Sequence, residues 1–248
     1  MSGNDRFTSY NVTAVAPGYG FVRFRVKNLQ PGETRNITIH FAPNFASATR
    51  GASVVGDALG ANLNLANVLD DDEATNDTQS GPNVRGRWFV IRLGGAGPNG
   101  SNVKRLGVSA LLVPGNNRFT ALRSFDAYVC RAGTVVANPT CDGSIDTGWT
   151  QLLSAPPDAF PSVNPRPVTP DMTLRYFEAA HSIVGTHVKF VVTSNQCTGQ
   201  PSFAGDQDND PTNNSDCLAT SRANEVHVSE VEVFGQTSTV DGTPNATG

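Results

Sequence analysis

The sequence EVHVSEVEVFG at residues 225–235 decides the fold class, because its strand-like alternation changes phase in the middle. Val226 and Val228 share one face of an extended chain, and the same parity places Glu230 on that face. Val231 then starts the opposite parity. The shift predicts a β-bulge and an inward-facing carboxylate at Glu230. A buried carboxylate is costly unless it has a partner, so a cation or basic group is expected beside it.

A run of four carboxylates lies in the segment ANVLDDDEAT at residues 66–75. Adjacent carboxylates repel one another unless they are solvated or bind a cation, and hard oxygen ligands in a short loop suit calcium. A solvated acidic loop is the alternative for this segment alone. Glu230 favours the cation, because no lysine or arginine lies near it in sequence. A calcium ion held jointly by Glu230 and the Asp70 loop would account for both features.

The rest of the chain has the composition of short strands joined by structured loops. Its 248 residues include 24 glycines and 16 prolines, and amphipathic helical runs are scarce. Residues 10–41 predict a three-stranded antiparallel meander with one apolar face, which needs a covering partner. Further strand candidates are Trp88–Leu93, Val103–Val113, Ser124–Arg131, Leu174–Glu178, His187–Ser194 and Glu225–Phe234.

Two stretches resemble known all-β families. YNVTAVAPGYGFVRFRVKNLQPGETRNITIHF at residues 10–41 resembles the last strands of a carboxypeptidase-regulatory-like β-sandwich. ANVLDDDEAT and VSEVEVFG resemble the acidic loop and last strand of the discoidin, or galactose-binding-like, jelly roll. The expected architecture is all-β: partial carboxypeptidase-regulatory-like strands at 1–45, a galactose-binding-like jelly-roll β-sandwich at 46–235 and a flexible tail at 236–248.

The discoidin resemblance also implies a calcium site. Two acidic side chains, a hydroxyl, a carbonyl and a closing glutamate would supply its ligands. The matching positions in this sequence are Asn67, Asp70, Asp72, Thr75 and Glu230. The sequence departs from the family at Asp71, where glycine is common.

A longer set of motifs resembles the C-terminal region of bacterial fungalysin-type extracellular metallopeptidases. They include RFTALRSFD, DAFPSVNPRPVTPDMTLRYF and SNQCTGQPSFAGDQDNDPTNNSDC. This resemblance implies a non-catalytic accessory domain that stabilises or targets a secreted peptidase, with the catalytic domain of the same parent protein as its partner. The polar start of the chain, without a signal peptide, fits a processed fragment of such a protein.

The sequence carries no zincin motif of its own. A zincin needs H-E-x-x-H, and none of the four histidines has that spacing. We therefore expect the chain not to be an enzyme. His40 and His227 alternate within strands and are expected at the surface, whereas His181 and His187 are expected to cap a strand end.

A second acidic loop contains Asp206, Asp208 and Asp210 with the D-x-D-x-D spacing of calcium loops. Pro211 replaces the glycine of such loops, and Cys217 stands where their closing glutamate belongs. A solvated loop is favoured over a second metal site.

Charge and hydropathy exclude several other classes. The net charge of -4 leaves no basic patch for nucleic acid, and no apolar run reaches the length of about 18 residues that a membrane helix needs. Two further functions stay open. One is a carbohydrate- or cell-surface-binding module, although the sequence shows no aromatic platform in its loops. The other is an extracellular homo-oligomer that assembles by strand addition at an orphaned meander edge.

The four cysteines predict two local disulfides, Cys130–Cys141 and Cys197–Cys217, in an extracellular protein; four thiols in a cytosolic protein are the alternative. Each bond would add roughly 3 kcal/mol of stability in the chain-entropy model. Peptide mapping without reductant should recover both cross-linked peptides. Free thiols or crossed pairs in that digest would contradict the assignment.

Overall fold

The computed structural model describes residues 8–58, 64–75, 77–80, 84–113, 116, 118–157, 159–160, 174–198 and 221–241. The strands are β1 Thr8–Ala14, β2 Val22–Leu29, β3 Thr38–His40, β4 Ser53–Asp57, β5 Asp77–Ser80, β6 Trp88–Arg92, β7 Ser101–Ser109, β8 Leu122–Cys130, β9 Thr150–Ser154, β10 Arg175–Gly185, β11 His187–Asn195, β12 Glu225–Val228, β13 Glu230–Phe234 and β14 Thr239–Asp241. Short 3-10 helices span Ala48–Arg50, Leu65–Val68, Arg118–Thr120 and Ser221–Asn224. In the described part of the chain, no helix is long and apolar enough to cross a bilayer.

Two antiparallel sheets form a β-sandwich. The larger sheet has the order β4-β6-β11-β8-β9, and the smaller one has the order β10-β7-β13. Their facing side chains alternate with outward ones along each strand, which is the period of two that the sequence shows. The predicted all-β, antiparallel fold class is confirmed.

Stacked phenylalanines fill the centre of this sandwich. Phe190 of β11 lies between Phe89 of β6 and Phe125 of β8, with ring centroids 5.1 and 4.7 Å apart, and all three rings are fully buried. Phe177 of β10 meets Phe125 edge-on at 5.0 Å, which joins the two sheets. Burying each such ring contributes about 1.5–3 kcal/mol.

The phase change around Glu230 is a break between strands rather than the predicted bulge. Strand β12 pairs with β5, whereas β13 pairs with β7 in the small sheet. Ser229 lies between them, and its hydroxyl donates to the carbonyl of Leu111. The valines change parity because they serve two different sheets, and both sets still enter the main core.

The N-terminal strands are paired differently from the predicted meander. Strands β1 and β2 form a hairpin, but β3 pairs with β14 near the C-terminus instead of with β2. Val22, Phe24 and Val26 of β2 form a small separate core, to which Val240 of β14 contributes. Residues 239–241, expected in a flexible tail, therefore belong to this unit, while residues 242–248 lie outside the described part.

The segment after β3 fastens this N-terminal unit to β13. The amide of Phe45 donates to the carbonyl of Val233 at 2.8 Å, and the Oδ1 atom of Asn44 accepts the amide of Val233 at 2.9 Å. Gly20 touches the Phe234 ring so closely that a Cβ there would lie 2.7 Å from it. The outer face of β13 is thus covered rather than exposed to solvent.

Replacing the fully buried Asn44 should destabilise the whole chain. Its side chain also donates to Asp71 at 3.0 Å and accepts the amide of Ala46 at 3.0 Å. Asn44→Ala leaves these buried groups without partners, at a cost of about 2–4 kcal/mol, or about 5–10 °C in melting temperature. Thermal unfolding followed by circular dichroism measures it. The exposed Asn11→Ala is the control, and an equal melting temperature for both variants would contradict this role.

Candidate functional site

Four of the predicted calcium ligands lie in the Asp70 loop, and the fifth, Glu230, lies on β13 where the charge of Asp70 acts on it. Val231 and Val233 point from β13 into the sandwich core, so Glu230 and Glu232 point the other way. The loop follows the 3-10 helix Leu65–Val68, whose last residue is buried in the main core. That anchor holds the acidic residues against the strand.

Thr75 is the centre of the loop part of this site. Its hydroxyl lies 2.8 Å from the Oδ2 atom of Asp70, 3.2 Å from the carbonyl oxygen of Asp72 and 3.4 Å from that of Asn67. Four of the five predicted residues thus place an oxygen within one small volume. Asp72 contributes its carbonyl there, while one oxygen of its carboxylate accepts the amide of Ala74 at 2.8 Å.

Asp71 explains the departure from the family pattern. Its φ of 61° lies in the left-handed region that glycine adopts most easily and that aspartate tolerates. In exchange for this conformation, its carboxylate accepts hydrogen bonds from Gly18 at 3.0 Å, Ser47 at 2.6 Å and Asn44 at 3.0 Å. The Asp71 carboxylate therefore fastens the loop to the N-terminal segment, whereas the Asp70 carboxylate bonds to Thr75.

The Glu230 carboxylate faces the Asp70 loop and is almost completely buried. Its side chain is 1% exposed, and neither carboxylate oxygen has a hydrogen-bond partner among the described residues. Burial raises the pKa of Glu230 well above its ordinary value, and the charges of Glu232, Asp70 and Asp71 raise it further. The backbone N–H of Asp72 lies near enough to oppose this shift, but its hydrogen bond goes to Asp70 at 3.1 Å.

Glu232 is a second buried carboxylate, two residues along the same strand. Burial raises its pKa to about 8, with the charges of Asp71 and Glu73 adding to the shift. A hydrogen bond from Tyr176 and the nearby Arg105 act in the opposite direction. The Arg105 guanidinium lies 3.7 Å from the centre of the Tyr176 ring, so a basic side chain lies at this end of the strand.

The donor set around Glu230 fits calcium. Among the described residues, no three His, Cys, Asp or Glu side chains form a metal-sized cluster. The oxygens here come instead from two carboxylates, Asp70 and Glu230, together with the Thr75 hydroxyl and two backbone carbonyls. Hard oxygen donors of mixed type are what calcium takes, and a buried carboxylate is costly without a cation or a hydrogen-bond donor.

The predicted disulfides are found as far as the structure describes them. Cys130 and Cys141 are bonded, with Cα atoms 5.8 Å apart. Cys197 is disulfide-bonded as well. Its expected partner Cys217 lies outside the described residues, as does the second acidic loop with Asp206, Asp208 and Asp210.

The histidines are distributed differently from the sequence expectation. His40 is exposed and pairs with Asp241 at 3.0 Å, as a surface group should. His227 was expected at the surface but is 2% exposed; its Nδ1 atom lies 2.7 Å from the hydroxyl of Thr120, and its Nε2 atom lies 3.2 Å from Glu225. Its strand pairs with β5 on one side and its outer face is covered by the Arg118–Thr120 turn, which strand alternation alone does not reveal.

The aromatic surface that sequence reasoning missed lies on the larger sheet. Trp88 on β6 and Trp149 just before β9 line one groove, together with Tyr128 of β8. The sequence places them far apart, and only the strand order β6-β11-β8 brings them together. The sequence reasoning looked for a platform among loop aromatics, whereas Trp88 and Tyr128 of this groove lie on strands.

No protein-family model and no curated protein matches this chain. Three solved structures from Clostridium perfringens are similar to it. A CBM32 domain, a carbohydrate-binding module, from a family 31 glycoside hydrolase shares 10% identity with a TM-score of 0.38, covering 68% of this chain and 82% of its own. The family 32 module of NanJ in complex with galactose shares 11% identity with a TM-score of 0.36, covering 74% and 91%. A further CBM32 domain shares 11% identity with a TM-score of 0.34, covering 74% and 90%. These values carry no argument about ligands, and the fold class rests on the strand pairing.

The pKa of Glu232 predicts the pH dependence of the metal-free protein. The folded-state pKa of about 8 lies above the ordinary value of 4.5, so the unfolded chain loses this proton at a lower pH than the folded chain does. The contribution of Glu232 to the free energy of unfolding is therefore fully present below pH 4.5 and is lost as the pH rises through 8. Within that window each pH unit costs about 1.4 kcal/mol. The melting temperature in EDTA should fall from pH 5 to pH 8.5. Glu232→Gln should make this fall shallower, with the raised pKa of Glu230 causing the remainder, and the exposed Glu33→Gln should not. A wild-type profile that rises with pH would contradict the assignment.

Proposed function

We propose that this chain is a non-catalytic accessory module of a secreted protein and that a calcium ion clasps its two ends together. The observation that carries the proposal is the buried Glu230 carboxylate, which faces the Asp70 loop with no partner of its own among the described residues. Without a cation, the folded chain must keep this group protonated or bear the cost of a buried charge. With one, the carboxylate becomes a ligand.

Five groups would hold the ion. They are the carboxylates of Asp70 and Glu230, the hydroxyl of Thr75 and the carbonyls of Asn67 and Asp72. The Asp72 carboxylate has one oxygen that accepts no hydrogen bond from Ala74 and is available as a sixth donor. Calcium accepts six to eight oxygens in flexible geometry, whereas magnesium requires a tighter octahedron, so this mixed set favours calcium.

The position of the site supports a structural role. The Asp70 loop follows the first strand of the large sheet, and β13 is the last strand of the small sheet. Segments 160 residues apart in sequence would therefore be joined through one ion, and the N-terminal unit is fastened to both by Asp71 and Asn44. Loss of the ion would loosen all three.

The wider context is proposed on separate grounds. The Cys130–Cys141 disulfide supports an oxidising, extracellular location. The fungalysin-like motifs favour the accessory region of a secreted metallopeptidase, with its catalytic domain as partner and without the zinc motif in this chain. Self-assembly by strand addition stays a prediction, since β3 pairs with β14 while β1 and β2 form a separate two-stranded sheet.

Calcium should raise the melting temperature of the EDTA-treated protein. An ion that binds only the folded state adds about 2.7 kcal/mol at a hundredfold excess over its Kd, or about 5–10 °C for a chain of this size. Differential scanning fluorimetry with calcium, magnesium and no metal measures this, and calcium should exceed magnesium.

Glu230→Gln should abolish most of the calcium response, because it removes the charge that requires the ion. The same variant should be at least as stable as the wild type in EDTA, since a neutral amide is cheaper to bury than a charged carboxylate. Glu33→Gln is the matched control at an exposed site. An equal calcium shift in wild type and Glu230→Gln would contradict the proposed site.

A further inference from the structure

We propose that the groove between Trp88 and Trp149 binds a neutral saccharide. This inference is independent of the calcium site, because it uses a different sheet and different residues. The groove lies on the outer face of the large sheet, opposite the phenylalanine core, and has a volume of about 500 Å³. That size falls in the range of small-molecule sites.

Both tryptophans of the 248-residue chain line this one groove. Trp88 stands on β6 beside Lys189 of β11, and Tyr128 of β8 continues the floor across the sheet. All three rings are partly exposed. Burying an aromatic side chain contributes much free energy, so three partly exposed aromatic rings side by side on a sheet are unusual. Such an exposed apolar patch indicates a binding surface for a flat, apolar face of a ligand.

The wall that carries Trp149 is rigid before any ligand arrives. The Cys130–Cys141 disulfide closes residues 131–140, and the fully buried Asn138 holds the following residues to that ring. The Asn138 amide donates to the carbonyls of Asp142 and Thr147 at 3.0 Å, and its Oδ1 atom accepts the amide of Asp142 at 2.7 Å. A preordered loop loses little entropy on binding.

The orientation of the Trp149 ring is also fixed. Its indole N–H donates to the carbonyl of Asp142 at 3.1 Å, and the side chain stays partly exposed. Gly143 lets this loop approach the other wall: a Cβ there would lie 2.3 Å from the Trp88 ring. The shape of the groove therefore depends on glycine at position 143, because any side chain there would collide with the Trp88 ring.

Polar groups flank the rings. The Lys189 ammonium lies 5.3 Å from the centre of the Trp88 ring and 5.9 Å from that of Trp149, and donates to the carbonyl of Gly143 at 2.7 Å. An ammonium has three N–H donors, so further donors remain for a ligand. The Asp146 carboxylate, 4.0 Å away and fully exposed, supplies acceptors at the rim.

This combination selects the chemistry of the ligand. A pyranose ring has an apolar C–H face that stacks on an indole and equatorial hydroxyls that need both donors and acceptors at its edge. Lys189 is offset by Asp146 and by Asp142, whose charge also acts on it. The groove therefore has no net positive charge to attract uronic or sialic acids, and neutral sugars are expected.

Intrinsic tryptophan fluorescence reads this groove directly, since no other tryptophan contributes. Lactose, cellotetraose and chitotetraose are the neutral probes, with sialyllactose as the acidic one and a decaproline peptide as the protein-ligand alternative. At least one neutral probe should give a saturable change, and sialyllactose should bind at least about tenfold more weakly than it.

Trp149→Ala should weaken that binding at least about tenfold, with Trp88 remaining as the reporter. Tyr10→Ala, which removes an exposed ring from β1, should leave it unchanged. Matching far-ultraviolet circular dichroism and melting temperature establish that Trp149→Ala is folded; if it is not, Asp146→Asn at the exposed rim replaces it and should weaken binding. The proposal is overturned if no neutral probe saturates at 50 mM (roughly the weakest affinity of use to a binding module), if the folded variant binds as well as wild type, or if only the peptide or the acidic sugar binds.

Discussion

The structure depends on two carboxylates, Glu230 and Glu232, that a core strand carries on its outer face. Val231 and Val233 must enter the sandwich, so the alternation of the strand obliges the glutamates to point outward. Because the N-terminal segment and the Asp70 loop cover that face, both glutamate side chains are buried although they point away from the sandwich core. Burial raises the pKa of both carboxyls. Tyr176 and Arg105 oppose that shift at Glu232, whereas at Glu230 the charges of Glu232, Asp70 and Asp71 add to it and the backbone N–H of Asp72 opposes it. We propose a calcium ion as the partner of Glu230.

The same covering layer joins the parts of the chain. Asp71 accepts donors from Gly18 and Ser47, while Asn44 bridges Asp71 to β13, so one acidic loop fastens the N-terminal unit to the sandwich. The opposite side of the molecule is built on another principle. There the loop 131–149, whose first part is closed by the Cys130–Cys141 disulfide, lies against the large sheet and lines a groove with partly exposed aromatic rings. The proposed clasp and the proposed sugar groove thus occupy separate faces, and one can be altered without the other.

Local patterns predict what depends on neighbours in sequence. The alternation in β2 and the Cys130–Cys141 bond follow from spacing and residue type alone, whereas Glu230 is buried because distant segments cover the outer face of β13. Pairings between distant segments do not: the β3–β14 pair, the strand break at Ser229 and the burial of His227 require knowledge of which sheet each strand joins. The meeting of Trp88 and Trp149 is of this second kind, because it follows from strand order rather than from any motif.

The central claim is that the Glu230 carboxylate binds a calcium ion. Isothermal titration calorimetry with calcium tests it most directly. Titrations of metal-free protein at pH 7 in two buffers of different ionisation enthalpy give both the stoichiometry and the protons released. The account predicts about one ion per chain with net proton release, because burial raises the pKa of Glu230 and ligation to a cation lowers it. Binding without proton release, or no binding heat at all, would contradict it.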